Sequence, residues 1–185
     1  MIDVVAPVKT DRLSLRPFAE RDVADVFAFE SLPEVARYLY NEPRTSEECA
    51  ALVAERAERT SLRAEGDSVV LAVDLHGTVI DHVSLAWLSE QHRQGAFGFV
   101  LHPGHQGRGY ATEAAAEMLR IGFDRLGLHR IIGRCDTRNT GSAGVMERLG
   151  MRLEARFVES EIFKGEWGGE LHYAMLAAEW RASAR

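Results

Sequence analysis

The sequence predicts one α/β domain: a mixed sheet with helices on its faces. Apolar runs of strand length alternate with amphipathic stretches along the whole chain. Turn signals at His76-Gly77 and Lys164-Gly-Glu-Trp-Gly-Gly169 each sit between two strand-like runs and predict hairpins. The 185 residues, 46% hydrophobic and 27% charged, suffice for one sizeable core, and no repeat, linker or low-complexity segment divides them.

Taken in order, residues 8–16 alternate loosely and predict an edge-like strand ended by Pro17. Val23, Val26, Phe27 and Phe29 fall near one face of a helix over 20–30. Pro33 restarts a short helical piece with Val35, Tyr38 and Leu39, and Pro43 breaks it. Ser46 opens a helix rich in Ala, Glu and Arg that runs to Arg63, with Gly66 as its stop. Strands follow at 68–75, 78–88 and 96–101, antiparallel in succession. An alanine-rich helix spans 111–126, its acids early (Glu113, Glu117) and its bases late (Arg120, Arg125), as the helix dipole prefers. A strand at 130–135, a short helix from Gly141 to Leu149 stopped by Gly150, and a closing hairpin of 151–163 with 170–176 complete the chain.

The formal net charge of −6 argues against general nucleic-acid binding. Cys49 and Cys135 lie far apart, without metal-ligand spacing, and no metal is expected. Met1-Ile-Asp-Val lacks the basic leader of a signal peptide and no long apolar span is present, so the reading is a soluble cytoplasmic chain with reduced thiols and no membrane partner.

The stretch Phe99 to Glu113 carries the chemistry. An apolar strand stops at Pro103, and a loop with Gly104, Gly107, Arg108 and Gly109 leads into the alanine-rich helix. A glycine loop at a helix start offers a row of free N–H groups and a partial positive charge to a phosphate. Gly104 and Gly109 have P-loop separation, but Tyr110 and Ala111 stand where Lys and Ser/Thr would reach phosphates and magnesium. Gly107-x-Gly109 starts a dinucleotide fingerprint, yet Thr112 replaces its third small residue and antiparallel strands precede it.

A third reading fits the loop. Gln106-Gly-Arg-Gly-Tyr-Ala111 resembles the pyrophosphate loop of the GCN5-related N-acetyltransferases (GNAT). Thr10 to Phe18, Gly109 to Ala114, Leu128-His-Arg-Ile131, Asn139-x-x-Ser142, Leu149-Gly-Met151 and Lys164-Gly-Glu-Trp167 are similar, in order, to the subgroup that acetylates ribosomal-protein N-termini. The resemblance implies a mixed, mostly antiparallel central sheet of six or seven strands with helices on both faces. It implies one N-acetyltransferase domain over 1–185 that uses acetyl-coenzyme A as co-substrate, and a homodimer, since dimers are common in that subgroup. Backbone groups of Val100 and Leu101 would pair with the pantetheine arm. The N–H groups of Gln106, Gly107, Arg108, Gly109, Tyr110 and Ala111 would hold the pyrophosphate, with Arg108 adding charge. Asn139 would bond the pantetheine arm, and Ser142 would also contact the donor and act on the leaving sulfur.

Three positions depart from the family pattern. No Tyr lies between Asn139 and His172 to serve as general acid, Asp81 and His82 stand where the subgroup shows glycine, and Glu170 replaces a common Asp. Amide formation from a thioester needs a deprotonated amine, a stabilised oxyanion and a thiolate leaving group, with no covalent enzyme nucleophile. Glu34, His82 and Glu90 are the base candidates. The amine acceptor is a protein N-terminus or a small molecule (polyamine, amino acid or antibiotic), and a non-catalytic acyl-coenzyme A sensor is the rival from another class. Plainer readings stand beside these: Asn139 and Ser142 as helix-start residues, Arg108 as solvated, Glu113 as a dipole complement, Cys135 and the tryptophans as packing.

Overall fold

The structure, a computed structural model, describes residues 1–183. Ten strands and six helices follow one another as β1 (Ile2–Asp3), β2 (Val8–Lys9), β3 (Ser14–Arg16), α1 (Val23–Glu30), α2 (Pro33–Ala36), α3 (Ser46–Glu58), β4 (Ser61–Leu62), β5 (Ser68–Leu75), β6 (Thr78–Ser89), β7 (Gln94–Leu101), α4 (Tyr110–Arg120), β8 (Arg130–Asp136), α5 (Thr140–Arg148), β9 (Arg152–Phe163), β10 (Glu166–Leu176) and α6 (Ala177–Ser183). The main sheet has eight strands in the order β2-β3-β5-β6-β7-β8-β10-β9, and β1 pairs with β4 apart from it. All its neighbours are antiparallel except β7 and β8. The fold is thus the mixed, mostly antiparallel sheet expected, with a strand more than the six or seven implied.

Both faces are covered. On β5 the odd residues Val69, Leu71 and Val73 enter the larger core with α4 and α5, while Val70 and Ala72 enter a smaller one with α1 and α3. A strand buried on both sides loses the polar alternation of a surface strand, which is why 69–73 is an unbroken apolar run. Ala114, Ala115, Met118 and Leu119 are fully buried on α4, and the small side chains let this helix lie close on the sheet. His76 and Gly77 both have positive φ, 54° and 95°, and so do Lys164 and Gly165, 51° and 84°. These are the tight turns whose twist matches a hairpin.

Four boundaries differ from the sequence reading. The 8–16 strand is two short strands around a turn, in which the Leu13 N–H donates to Thr10 Oγ1 at 3.0 Å. Helix α3 ends at Glu58 because Leu62 is drawn into the core, fully buried, and the Arg59 carbonyl accepts from Val70 N–H at 2.8 Å. The alanine-rich helix closes with a π-type turn over Ile121–Arg125, where Leu126 N–H donates to Ile121 O at 2.9 Å. The last hairpin turn is only Lys164-Gly165, with Glu166 already in β10. Helix α6, whose Trp180 stacks on Phe123, was not foreseen. Among the described residues no helix is long and apolar enough to cross a membrane.

Candidate active site

The two parallel strands stay together only where Gln94–Ala96 face Arg130–Ile132. Beyond that point they part. Gly133 marks the fork: a Cβ there would meet the Phe97 ring at 2.6 Å and Met146 Sδ at 2.7 Å, so only glycine leaves room for this wedge. The opened fork is a cleft of about 780 Å³ at the carboxyl end of β7, walled by α2, the glycine loop, the start of α4 and the start of α5. Val100, Leu101, Gln106, Gly107, Gly109, Ala111, Asn139 and Ser142 all line it, so residues some forty positions apart share one site. Arg108 and Tyr110 do not line it.

The reason lies outside the loop. Arg12, in the β2–β3 turn, donates through Nη1 to the Arg108 carbonyl at 2.8 Å and lies with its guanidinium 4.6 Å from the Tyr110 ring centre. Its Nε and backbone N–H donate to Glu113 Oε2 and Oε1 at 2.7 and 2.9 Å, and Thr10 Oγ1 donates to Oε1 at 2.6 Å. Burial pushes the Glu113 carboxyl up, but the bonds from Thr10 and Arg12 outweigh it and hold the group below its ordinary value. Glu113 is therefore a clamp that fastens the loop to the first hairpin, a role beyond complementing the helix dipole. Gly109 sits at the N-terminus of α4 with φ of 80°, a left-handed conformation that frees the first N–H groups of the helix toward the cleft.

On the opposite wall Asn139 caps α5, its Oδ1 accepting from Ser142 N–H at 3.0 Å. This is the helix-start role that the residue types suggest. It leaves the Ser142 hydroxyl, half-buried on the cleft, without a protein partner among the described residues. Cys135 is buried, and burial, then Asp136, push its thiol up to about 11, away from the thiolate form a nucleophile needs.

The floor is β7. His102 N–H donates to Ile80 O at 2.9 Å, so by the alternation of an antiparallel ladder Phe99 and Leu101 turn their backbone groups toward the vacated β8 side. Val100 turns the other way. Its N–H donates to Oδ1 of Asp81 at 3.0 Å, and only its side chain faces the cleft. On the other side of β6, a one-residue bulge at Ile80 in its pairing with β5 lies next to this fully buried carboxyl. Burial drives the Asp81 carboxyl well above its ordinary value, the bonds from Val100 and His82 N–H opposing it. The free strand edge is thus Phe99 and Leu101.

Of the base candidates, Glu34 lines the cleft. Glu90 lies in the turn before β7, at the strand end opposite the cleft. His82 is shielded: its Nε2 lies 3.3 Å from Arg56 Nη2, and a guanidinium only donates, so the ring's lone pair is occupied. Burial, then Arg56 and Arg44, hold the imidazole well below its ordinary value, hence neutral. Sequence reading missed Tyr38, which lines the cleft and donates its hydroxyl to the Arg138 carbonyl at 3.2 Å. The phenol comes from the turn after α2, a hundred residues upstream of α5, with only an isolated aromatic as its signal.

Comparison with known proteins agrees with this architecture. The family model described as an acetyltransferase (GNAT) domain matches residues 12–152. The uncharacterized N-acetyltransferase YnaD of Bacillus subtilis (strain 168) is 33% identical over 173 residues, which cover 94% of this chain and 98% of that protein. The crystal structure of a GNAT-family acetyltransferase from Bacillus anthracis superposes with a TM-score of 0.81 at 31% identity, over 94% of this chain and 100% of that one. A spermidine N-acetyltransferase from Vibrio cholerae, solved with CoA and spermine, shares the fold with a TM-score of 0.76 at 21% identity, over 93% of this chain and 99% of that one. Fold and matches together define an acyltransferase. The chain belongs to the GNAT superfamily of N-acetyltransferases, enzymes that use acetyl-coenzyme A.

Proposed function

We propose that this enzyme moves the acetyl group of acetyl-coenzyme A to a protein or peptide N-terminal α-amine, by direct attack within a ternary complex. What supports the acceptor class is placement. The segments that carry the subgroup resemblance build the site: Thr10 and Arg12 clamp the loop, and Lys164 and Glu166 edge a hollow beside the cleft. The loop N–H groups from Gly107 to Ala111 suit the pyrophosphate, whereas the Gln106 N–H, expected to join them, is already given to the Pro103 carbonyl at 3.1 Å, and the edge of Phe99 and Leu101 suits the pantetheine amides.

In this reading the neutral amine attacks the thioester carbonyl, the C–N bond forms, and the C–S bond breaks to release the thiolate, which takes up through water the proton the attacking nitrogen loses. A β7 backbone N–H stabilises the oxyanion, and the Ser142 hydroxyl hydrogen-bonds the leaving sulfur. Glu34, the acid on the cleft, draws the acceptor ammonium and receives its proton directly or through water. The chain acts as one domain, in the cytoplasm, consistent with two free buried cysteines. A homodimer is supported by the exposed apolar residues of the β9–β10 hairpin, Phe157, Val158, Ile162 and Trp167.

A polyamine acceptor is the second reading, suggested by the fold-related spermidine enzyme. Release of coenzyme A thiol, followed across N-terminal peptides and small amines, separates the two. Faster turnover of peptides is expected, and turnover confined to polyamines defeats the proposal.

A further inference from the structure

Beside the cleft lies a second hollow of about 330 Å³, between α2 and the β9–β10 turn, and it contains no residue of the glycine loop. The two cavities share Arg37, Tyr38 and Arg138 on their common rim. The cations here differ in how they are engaged. Arg138 is held by Asp136, through Nε at 2.9 Å and Nη2 at 2.8 Å, and reaches Glu166 at 3.3 Å. The ammonium of Lys164 donates to the carbonyls of Ala36 and Asn41, both at 2.9 Å, and lies 3.3 Å from Glu42, which uses its three donors. Arg37 has no hydrogen-bond or ion-pair acceptor among the described residues. Only the Tyr38 ring lies under its guanidinium, 5.4 Å away. A guanidinium resting on an aromatic face presents its fork of N–H donors edgewise, the geometry that takes a carboxylate in two bonds.

The acids are distributed in the opposite way. Glu42 and Glu166 are exposed and already engaged by Lys164 and Arg138. That leaves Glu34, three residues before Arg37, as the acid on the main cleft without an ion-pair partner among the described residues. Side chains at i and i+3 of a helical turn stand about 5–6 Å apart at Cβ. One unpaired acid and one unpaired cation on adjacent positions match a ligand with an ammonium and a carboxylate close together. They do not match a chain of ammonium groups.

We infer that Glu34 and Arg37 form a dipolar subsite that selects an amine acceptor carrying a nearby carboxylate. The inference deepens the acetylation proposed above and rests on it. The carboxylate is either the acceptor's own α-carboxylate, as in a free amino acid, or an acidic side chain next to a peptide N-terminus.

The test uses full-length enzyme at saturating acetyl-coenzyme A and one pH near neutrality, where the acceptor amines are ammonium ions, with each rate referred to that amine's free-base fraction. Thiol release is compared for an amino acid, its amide, peptides with an acidic or neutral second residue, and spermidine. A carboxylate is expected to favour its bearer by about 10- to 100-fold in kcat/KM, mainly through acceptor KM, the range set by a lost charged hydrogen bond. Arg37→Ala should erase that preference, Arg37→Lys restore part of it, and Arg37→Glu shift it toward spermidine. Preference among the first four acceptors tells which source supplies the carboxylate. Equal turnover of acid and amide, a wild-type preference for spermidine, or an equal loss for all acceptors in Arg37→Ala overturns the subsite. Acetyl-coenzyme A binding without thiol release from any amine defeats the activity itself, and the subsite with it.

Discussion

Removing the Glu113 carboxylate should loosen the phosphate loop without touching the cleft. Glu113 does not line the cleft and accepts from Thr10 Oγ1, Arg12 N–H and Arg12 Nε at 2.6, 2.9 and 2.7 Å. Hydrogen bonds to a charged group contribute about 1.5–3 kcal/mol when buried, and an exposed ion pair at most about 1 kcal/mol. The Glu113 side chain is 16% exposed but that of Arg12 is 46% exposed, which places the clamp between those limits. A loss of about 1–2 kcal/mol for Glu113→Ala follows, and where the bound loop needs the clamp, donor affinity falls about 5- to 30-fold. Titration calorimetry with acetyl-coenzyme A measures the affinity, and thermal unfolding measures the stability. The pH dependence has a definite sign. A carboxyl held below its ordinary value stabilises the folded state throughout the neutral range and loses that contribution only as pH falls through its folded value. Donor affinity in the wild type should therefore stay level from neutral pH down to the ordinary carboxylate range and then weaken, whereas Glu113→Gln should lack that acid-side loss. Wild-type affinity in Glu113→Ala would refute the clamp.

Three further outcomes rest on separate parts of the cleft. Gly109→Val forces a branched side chain into a φ of 80° and sets its Cβ 3.4 Å from Arg12 Nη2, so calorimetry should show acetyl-coenzyme A binding weakened by about tenfold or more, given a left-handed penalty of about 1–2 kcal/mol. Ser142→Ala should lower kcat more than it weakens donor binding, because the Asn139 cap uses the Ser142 backbone N–H and not its hydroxyl and so survives; a parallel Tyr38→Phe variant shows in steady-state kinetics whether the cleft's phenol acts instead. Gly133→Ala drives a methyl group to 2.6 Å from Phe97 and should destabilise the fold by about 1–3 kcal/mol, read in chemical denaturation.

The sequence shows most of the fold through its periodicities. The unbroken apolar run of β5, the turn pair at 76–77, and the small buried face of α4 are each local signals, and each element formed where its signal lay. The failures are tertiary. Helix α3 stops early because Leu62 is worth more in the core than as a further helical residue, and no local pattern reports that competition. The loop, Asn139 and Ser142 were legible because glycines and caps carry backbone chemistry in their residue types. The clamp was not, since Thr10, Arg12 and Glu113 are ordinary polar residues until folding brings them together across a hundred positions. Val100 shows the opposite case: its place on the strand was readable, but the direction of its N–H depends on the buried Asp81 across the ladder.

A crystal structure with a non-hydrolysable acetyl-coenzyme A analogue tests the central claim most directly. The account places the pyrophosphate on the N–H groups of Gly107 to Ala111, the pantetheine arm against the backbone of Phe99 and Leu101, and the sulfur beside Ser142. Density for the analogue elsewhere, or a pantetheine arm that leaves the fork between β7 and β8 empty, would contradict it.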